Sequence, residues 1–162
     1  MSEELIVSAL TSKTEKYEAL LPQLSALLSD ESDLIANAAI MTAALKEVFN
    51  WHWVGFYFVK KEGLLLGPFQ GPVACTRISF DKGVCGHAYR HKHTVLVDDV
   101  DKFPGHIACS SLSKSEIVVP LIVEDVVKVL LDVDSITIAD FNDTDRYYLE
   151  KIVCLLLHCF SS

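Results

Sequence analysis

Residues 117–133 read IVVPLIVEDVVKVLLDV: two β-branched runs, 117–123 and 126–133, joined by the polar pair Glu124-Asp125. Valine and isoleucine at this density favour strands, and a two-residue polar joint between them has the spacing of a hairpin. Both runs are apolar throughout, so the sequence predicts neighbouring antiparallel strands buried inside a domain. A second hairpin lies upstream. From His52 to Lys60 the period is two, with Val54, Phe56 and Phe58 on one side and Trp53, Gly55, Tyr57 and Val59 on the other. Lys60-Lys61-Glu62-Gly63 then turns the chain into residues 64–66. A strand apolar on both sides belongs at the centre of a sheet, so Trp53 and Tyr57 either pack under a helix or line a pocket.

Helical spacing brackets these strands. From about Thr14, Tyr17, Leu20, Leu21, Leu24, Leu27 and Leu28 form an apolar stripe, with Pro22 expected to kink or break it. Leu34, Ile35, Ala38, Met41, Thr42, Leu45, Val48 and Phe49 mark a second helix, capped by Ser29 or Asp30. Asn142 caps a last one, with Tyr148, Ile152, Leu155, Leu156, Cys159 and Phe160 on its apolar side. Hairpins between flanking helices predict an α+β fold, one mainly antiparallel central sheet flanked by helices. A chain of 162 residues is one domain, residues 1–162, with 1–11 expected to fray.

Composition narrows the function. Lys and Arg number 14 against 22 Asp and Glu, and the net charge of -8 repels phosphate backbones and anionic membranes, so no nucleic-acid or membrane partner is expected. No apolar run approaches the ~20 residues of a membrane span, and the N-terminus MSEELIVSAL is acidic where a signal peptide is basic, so a cytoplasmic location is expected. The five cysteines are then expected in a reducing compartment, packed, catalytic or redox-active rather than structurally bridged.

Reactive residues concentrate between Leu66 and Ser115, a stretch holding Cys75, Cys85, Cys109, His87, His91, His93 and His106 among turn-forming glycines. Gly83-Val84-Cys85-Gly86 precedes a short helical piece, His87 to His91, so Cys85 is expected at a helix N-terminus, where the dipole favours a thiolate. Cys109 follows His106 by three residues in a loop, where the imidazole can lower its pKa. Either cysteine can be a nucleophile, and the residues alone leave the choice open. Cys154 and Cys159 lie on the apolar last helix and read as packing. His87 and His91, at i and i+4, could join Cys85 and Cys109 around a metal; without C-x-x-C or H-E-x-x-H that spacing is a weak signal, and solvated histidines account for it. Asp132 and Asp134, two apart at the end of a strand, share a face. Hairpin pairing can bring Glu116 beside them, and three carboxylates around one pocket attract an ammonium group and raise one another's pKa toward use as a proton donor.

Taken together, Trp53-Val54-Gly55-Phe56-Tyr57, Leu66-Gly67-Pro68-Phe69-Gln70-Gly71, Ala74-Cys75-Thr76-Arg77-Ile78, Gly83-Val84-Cys85-Gly86, Gly105-His106-Ile107-Ala108-Cys109, Ser115-Glu116-Ile117-Val118 and Leu131-Asp132-Val133-Asp134-Ser135 resemble the free methionine-(R)-sulfoxide reductases, single domains with the GAF fold. The resemblance runs from Ala36 to Leu156. It departs at Lys128-Val129-Leu130-Leu131, where relatives usually carry a glycine before the Leu-Asp pair. It implies reduction of free L-methionine-R-sulfoxide with Cys109 as nucleophile, Cys85 as resolving cysteine, and Cys75 as a further cysteine in disulfide formation. It also implies substrate binding by Glu116, Asp132 and Asp134, with Trp53 and Tyr57 lining the pocket. On this reading the oxidised protein carries a Cys85–Cys109 bond, thioredoxin with NADPH is the external reductant, no metal or organic cofactor is bound, and a homodimer is expected by analogy. The competing class is a GAF sensor module that binds a small molecule without catalysis. Such a module is ordinarily tethered to an output domain, which this sequence lacks, and has no need of three cysteines in these loops.

Overall fold

The structure is a computed structural model describing residues 4–7, 12–107 and 109–161. The hairpin predicted over 117–133 is strands β5 (Ser115–Val123) and β6 (Val126–Ser135), paired antiparallel along their length. Glu124 and Asp125 both take left-handed conformations, φ 51° and 66°, which match the twist of a two-residue hairpin turn. The first hairpin is β1 (Trp53–Lys60) and β2 (Gly63–Gln70). Gly63, at φ +148°, closes its turn where a side chain is strained. Two short strands without a strong sequence signal complete the sheet: β3 (Arg77–Ile78) and β4 (Val95–Val97). The order is β3-β2-β1-β6-β5-β4, every neighbour antiparallel, so the two hairpins meet through β1 and β6 at the centre.

Among the described residues four α-helices cover the sheet: α1 (Lys13–Leu28), α2 (Leu34–Phe49), α3 (Gly83–His91) and α4 (Asp143–Cys154). The two-sided alternation of β1 sorts its side chains into two cores. Val54 and Phe56 join Tyr17, Leu20, Met41, Leu45, Leu149 and Ile152 beneath α1, α2 and α4, while Trp53 and Tyr57 join Val84, Cys85 and Ala88 beneath α3. Each fully buried large apolar side chain contributes about 1.5–3 kcal/mol relative to exposure, so the first, larger core anchors the fold and the second supports the site. Lys13 and Tyr17 tie α1 to the start of α4 through Asp145, at 2.8 and 2.7 Å.

Several boundaries differ from expectation. Pro22 neither breaks nor ends α1, which runs unbroken for 16 residues. Asp33, not Ser29 or Asp30, caps α2 by accepting from the Ala36 N–H. Asn142 does cap α4, in a capping box with Asp145. That helix stops at Cys154 and resumes as a 3-10 turn, Leu157–Phe160, leaving Cys154 exposed rather than packed. The fraying expected of residues 1–11 falls outside the described residues for 1–3 and 8–11. Within 4–7, the Ile6 N–H donates to Gln23 Oε1 at 2.7 Å and its carbonyl accepts from Gln23 Nε2 at 2.9 Å, while Leu5 packs against the core. Among the described residues no helix is long and apolar enough to cross a membrane.

Candidate active site

The second core opens into a cleft lined by Trp53, Tyr57, Cys85, Cys109, Glu116, Asp132 and Asp134 together with His106, Ser110 and Ser113. One residue of register builds its acidic wall. From the turn, Val123 faces Val126 and Ile122 faces Val127, but Leu121 faces Val129, so Lys128 is an extra residue on β6. Beyond that bulge Glu116 lies opposite Asp134, and Val118 opposite Asp132. Without the bulge, Glu116 would lie opposite Val133 and face the other core, because a one-residue slip turns a strand over.

The three carboxyls are enclosed, with Glu116 and Asp132 each 6% exposed. One polar atom from each of Glu116, Asp132 and Cys85 lies within 4.8 Å of the other two. Burial first, and then the charges of Asp132 and Asp134, push Glu116 well above the usual carboxyl range. Asp134 is raised well above its ordinary value by burial and by Asp132. Asp132 is raised by burial, an effect that hydrogen bonds from Glu116 and Cys85 oppose. The site thus favours protonation of Glu116 and Asp134 over that of Asp132. Asp132 Oδ1 is buried without a hydrogen-bond partner, an acceptor set to receive a ligand's N–H. His106 Nε2 stands 3.9 Å from Glu116 Oε2, and burial lowers the pKa of this imidazole.

Cys75 and Cys109 form a disulfide across 34 residues of sequence, with their Cα atoms 5.7 Å apart. The loop carrying Cys75 is fastened by the two pocket aromatics. Trp53 Nε1 donates to the Pro72 carbonyl at 3.0 Å, and Tyr57 Oη donates to the Cys75 carbonyl at 2.8 Å. Both aromatics therefore line the cavity and position a cysteine. Next to Cys109 in sequence, Ser110 Oγ lies 3.0 Å from His52 Nε2.

Residues 31–154 match a family model described as GAF domain. Over 157 residues the chain is 55% identical to GAF domain-containing protein A of Dictyostelium discoideum, covering 96% of this chain and 99% of the relative. It is 41% identical over 145 residues to the free methionine-R-sulfoxide reductase of Escherichia coli, covering 89% and 88%. The crystal structure of the Neisseria meningitidis free methionine-R-sulfoxide reductase in complex with its substrate superposes with a TM-score of 0.95 at 48% identity, covering 98% of this chain and 96% of that one. The chain belongs to the GAF-domain family of free methionine-R-sulfoxide reductases.

Within this family member, two expectations about the cysteines are corrected. The disulfide joins Cys109 to Cys75, not to Cys85, because the loop fastened by Trp53 and Tyr57 brings Cys75 to Cys109. Cys85 does sit in the first turn of α3, as its glycine-rich flank implied, yet it is buried and free. Burial and the neighbouring charges of Asp132, Glu116 and Asp134 push its thiol well above the usual range, overwhelming the helix dipole that was expected to favour a thiolate. A metal set of Cys85, His87, His91 and Cys109 is likewise excluded by geometry. Cys109 is in the disulfide, and His87 and His91 project from the side of α3 opposite Cys85.

The acids also set how stability depends on pH. Between the ordinary carboxyl pKa and the raised values, the folded protein retains protons that the unfolded chain has released, so each raised group costs stability as pH climbs through that window. The cost is absent below the unfolded value of about 4.3 for a glutamate. Glu116→Gln is therefore expected to raise the melting temperature at about pH 8 and to flatten its fall from about pH 5. Thermal scans across that range, giving parallel profiles for the two proteins, would show that the cluster is not the cause.

Proposed function

We propose that the protein reduces free L-methionine-R-sulfoxide to L-methionine, with Cys109 as nucleophile, Cys75 as the cysteine that resolves it, and thioredoxin, kept reduced by NADPH, as electron donor. The observation that supports this most directly is a disulfide-forming cysteine and three carboxyls, those of Glu116 and Asp132 buried, lining one cleft. In the dithiol state, Glu116 gives its proton to the sulfoxide oxygen while the Cys109 thiolate attacks. Oxygen passes to Cys109 as a sulfenic acid, the substrate sulfur is reduced to the thioether, and methionine departs. The Cys75 thiol then attacks the sulfenic sulfur, forming the disulfide and releasing water. Thioredoxin, at about −270 mV, returns two electrons and two protons by exchange. His106, half-buried beside Glu116, is placed to restore its proton from solvent. The chemistry is complete without a bound metal or organic cofactor, and it belongs in a reducing compartment such as the cytoplasm. A sensor module without chemistry would give the disulfide at the cleft no purpose. NADPH consumption in the presence of thioredoxin, thioredoxin reductase and free L-methionine-R-sulfoxide tests the proposal; no substrate-dependent consumption overturns it.

Selectivity for the free amino acid follows from the wall of the cleft. The substrate ammonium supplies the donor that Asp132 Oδ1 lacks, a charged contact contributing about 1.5–3 kcal/mol. N-acetylation removes that charge and leaves a buried carboxylate unpaired, while Trp53 and Tyr57 meet the same side chain in both compounds. The acetylated sulfoxide is expected to react with kcat/KM lower by about tenfold to a hundredfold. Equal or faster turnover of the acetylated compound would overturn the ammonium assignment.

A further inference from the structure

Both cysteine-bearing loops close on the residue that leads into β1. Gly71, at the head of the loop carrying Cys75, takes φ +137°, and a Cβ on it would stand 2.8 Å from the His52 carbonyl oxygen. A side chain there would be strained and would collide with the chain it passes. From the same residue the imidazole reaches the other loop: His52 Nε2 lies 3.0 Å from Ser110 Oγ, one residue beyond Cys109. Ser110 Oγ in turn accepts from the Leu112 N–H at 3.3 Å, so one hydroxyl shapes the local turn and meets the histidine. His52 and Ser110 are both half-buried.

Little else fastens the Cys109 loop. The Cys109 N–H donates to the Ile107 carbonyl at 3.0 Å within the same loop, and the next anchor, from the Lys114 N–H to the Ser135 carbonyl at 2.7 Å, comes only at the threshold of β5. Among the described residues, the His52–Ser110 contact is the one hydrogen bond tying 109–112 to a distant part of the chain. In the oxidised protein the disulfide adds a covalent tie across 34 residues of sequence. In the dithiol that tie is gone, and the place of the loop opposite Cys75 rests on the hydrogen bond. The two ties favour one another, because each lowers the ordering entropy that forming the other must overcome.

We propose that His52 is a positioning residue that, through Ser110, holds the Cys109 loop against Cys75 and so sets the thiol–disulfide equilibrium of that pair. The contact stands in either state of the ring: an unprotonated Nε2 accepts from the serine hydroxyl, and an Nε2–H donates to it. Resting on the reaction proposed above, the inference assigns His52 to the resolving step, in which the Cys75 thiol attacks the sulfenic sulfur of Cys109, the disulfide forms and water leaves.

Equilibration with dithiothreitol tests this without substrate or thioredoxin, so its failure is distinct from failure of the proposed activity. The reagent gives two electrons and two protons to the Cys75–Cys109 bond and closes into its own cyclic disulfide. Differential alkylation and mass spectrometry read the fraction of the protein bond remaining at each reagent ratio. His52→Ala is expected to shift the equilibrium constant toward the dithiol by about threefold to tenfold, the range of one hydrogen bond. Ser110→Ala should shift it at least as far, and adding His52→Ala to Ser110→Ala should shift it no further, because both remove the same contact. His52→Gln, whose amide can bond the hydroxyl, should recover most of the difference, while His91→Gln, at an exposed position on α3, should leave the equilibrium unchanged. Far-ultraviolet circular dichroism verifies that each variant is folded. An unshifted equilibrium in both His52→Ala and Ser110→Ala overturns the proposal. So do additive effects in the double variant, which would show that the two side chains act apart.

Discussion

Replacing Cys109 with serine is expected to abolish methionine formation, whereas replacing Cys75 with serine should permit one methionine per protein and then stop. The difference follows from the order of bond formation. Oxygen transfer needs only the attacking sulfur, so removing that sulfur eliminates the first step and lowers the rate by on the order of a thousandfold or more. Resolution needs the second sulfur, and the structure places Cys75 in a bond with Cys109 while Cys85 stays buried as a thiol. Cys85→Ser should therefore continue through many turnovers in the thioredoxin assay. A single-turnover measurement with chemical quench, alongside the steady-state assay, separates the three variants. If Cys85→Ser stalled after one equivalent while Cys75→Ser recycled normally, the resolving role would return to Cys85.

The second large effect is expected at Glu116. Glutamine in its place preserves the shape of the side chain and a hydrogen-bond donor, but has no carboxyl proton to transfer to the departing oxygen. Positioned general acids contribute about 10²–10⁴ in rate, so Glu116→Gln should lower kcat by that order with a smaller change in KM. Asp132→Asn should do the reverse: it removes the charge facing the substrate ammonium and raises KM first. The pH dependence has a definite sign. Because burial and the neighbouring acids raise the Glu116 pKa, its proton is kept to a higher pH than that of an ordinary carboxyl and is lost on the alkaline side of the raised value. The rate should then decline as pH climbs through the raised pKa, and Glu116→Gln should lack that alkaline limb. Near-normal single-turnover rates in Glu116→Gln would remove Glu116 as the acid and leave Asp134, the other strongly raised carboxyl, as the candidate.

These two experiments probe features that stood differently in the sequence. The alternation of residues 52–60 assigned Val54 and Phe56 to one face and Trp53 and Tyr57 to the other, and the structure places them in two separate cores. The Glu124-Asp125 joint, the Asn142 cap and the shared face of Asp132 and Asp134 were equally legible. In each case the physical reason is local: strand period, capping chemistry and turn conformation act over a few residues of chain, and a sequence displays its near neighbours. The set of residues around the cleft was legible too, through the joint resemblance of seven short motifs.

Tertiary structure decided what depends on distant segments. The resolving partner of Cys109 turns on where the loop carrying Cys75 is held, and Trp53 and Tyr57 hold it through hydrogen bonds spanning 19 and 18 residues. The raised pKa of the Cys85 thiol comes from its burial between α3 and the sheet and then from carboxyls on β5 and β6, both in place only after the sheet assembles. The face taken by Glu116 depends on a single extra residue, Lys128, absorbed as a bulge two pairs from the hairpin turn. Its runs of valine and leucine are apolar in either register, so nothing in their pattern shows which side Glu116 will take, and only the packed sheet turns that carboxyl into the cleft with Asp132 and Asp134.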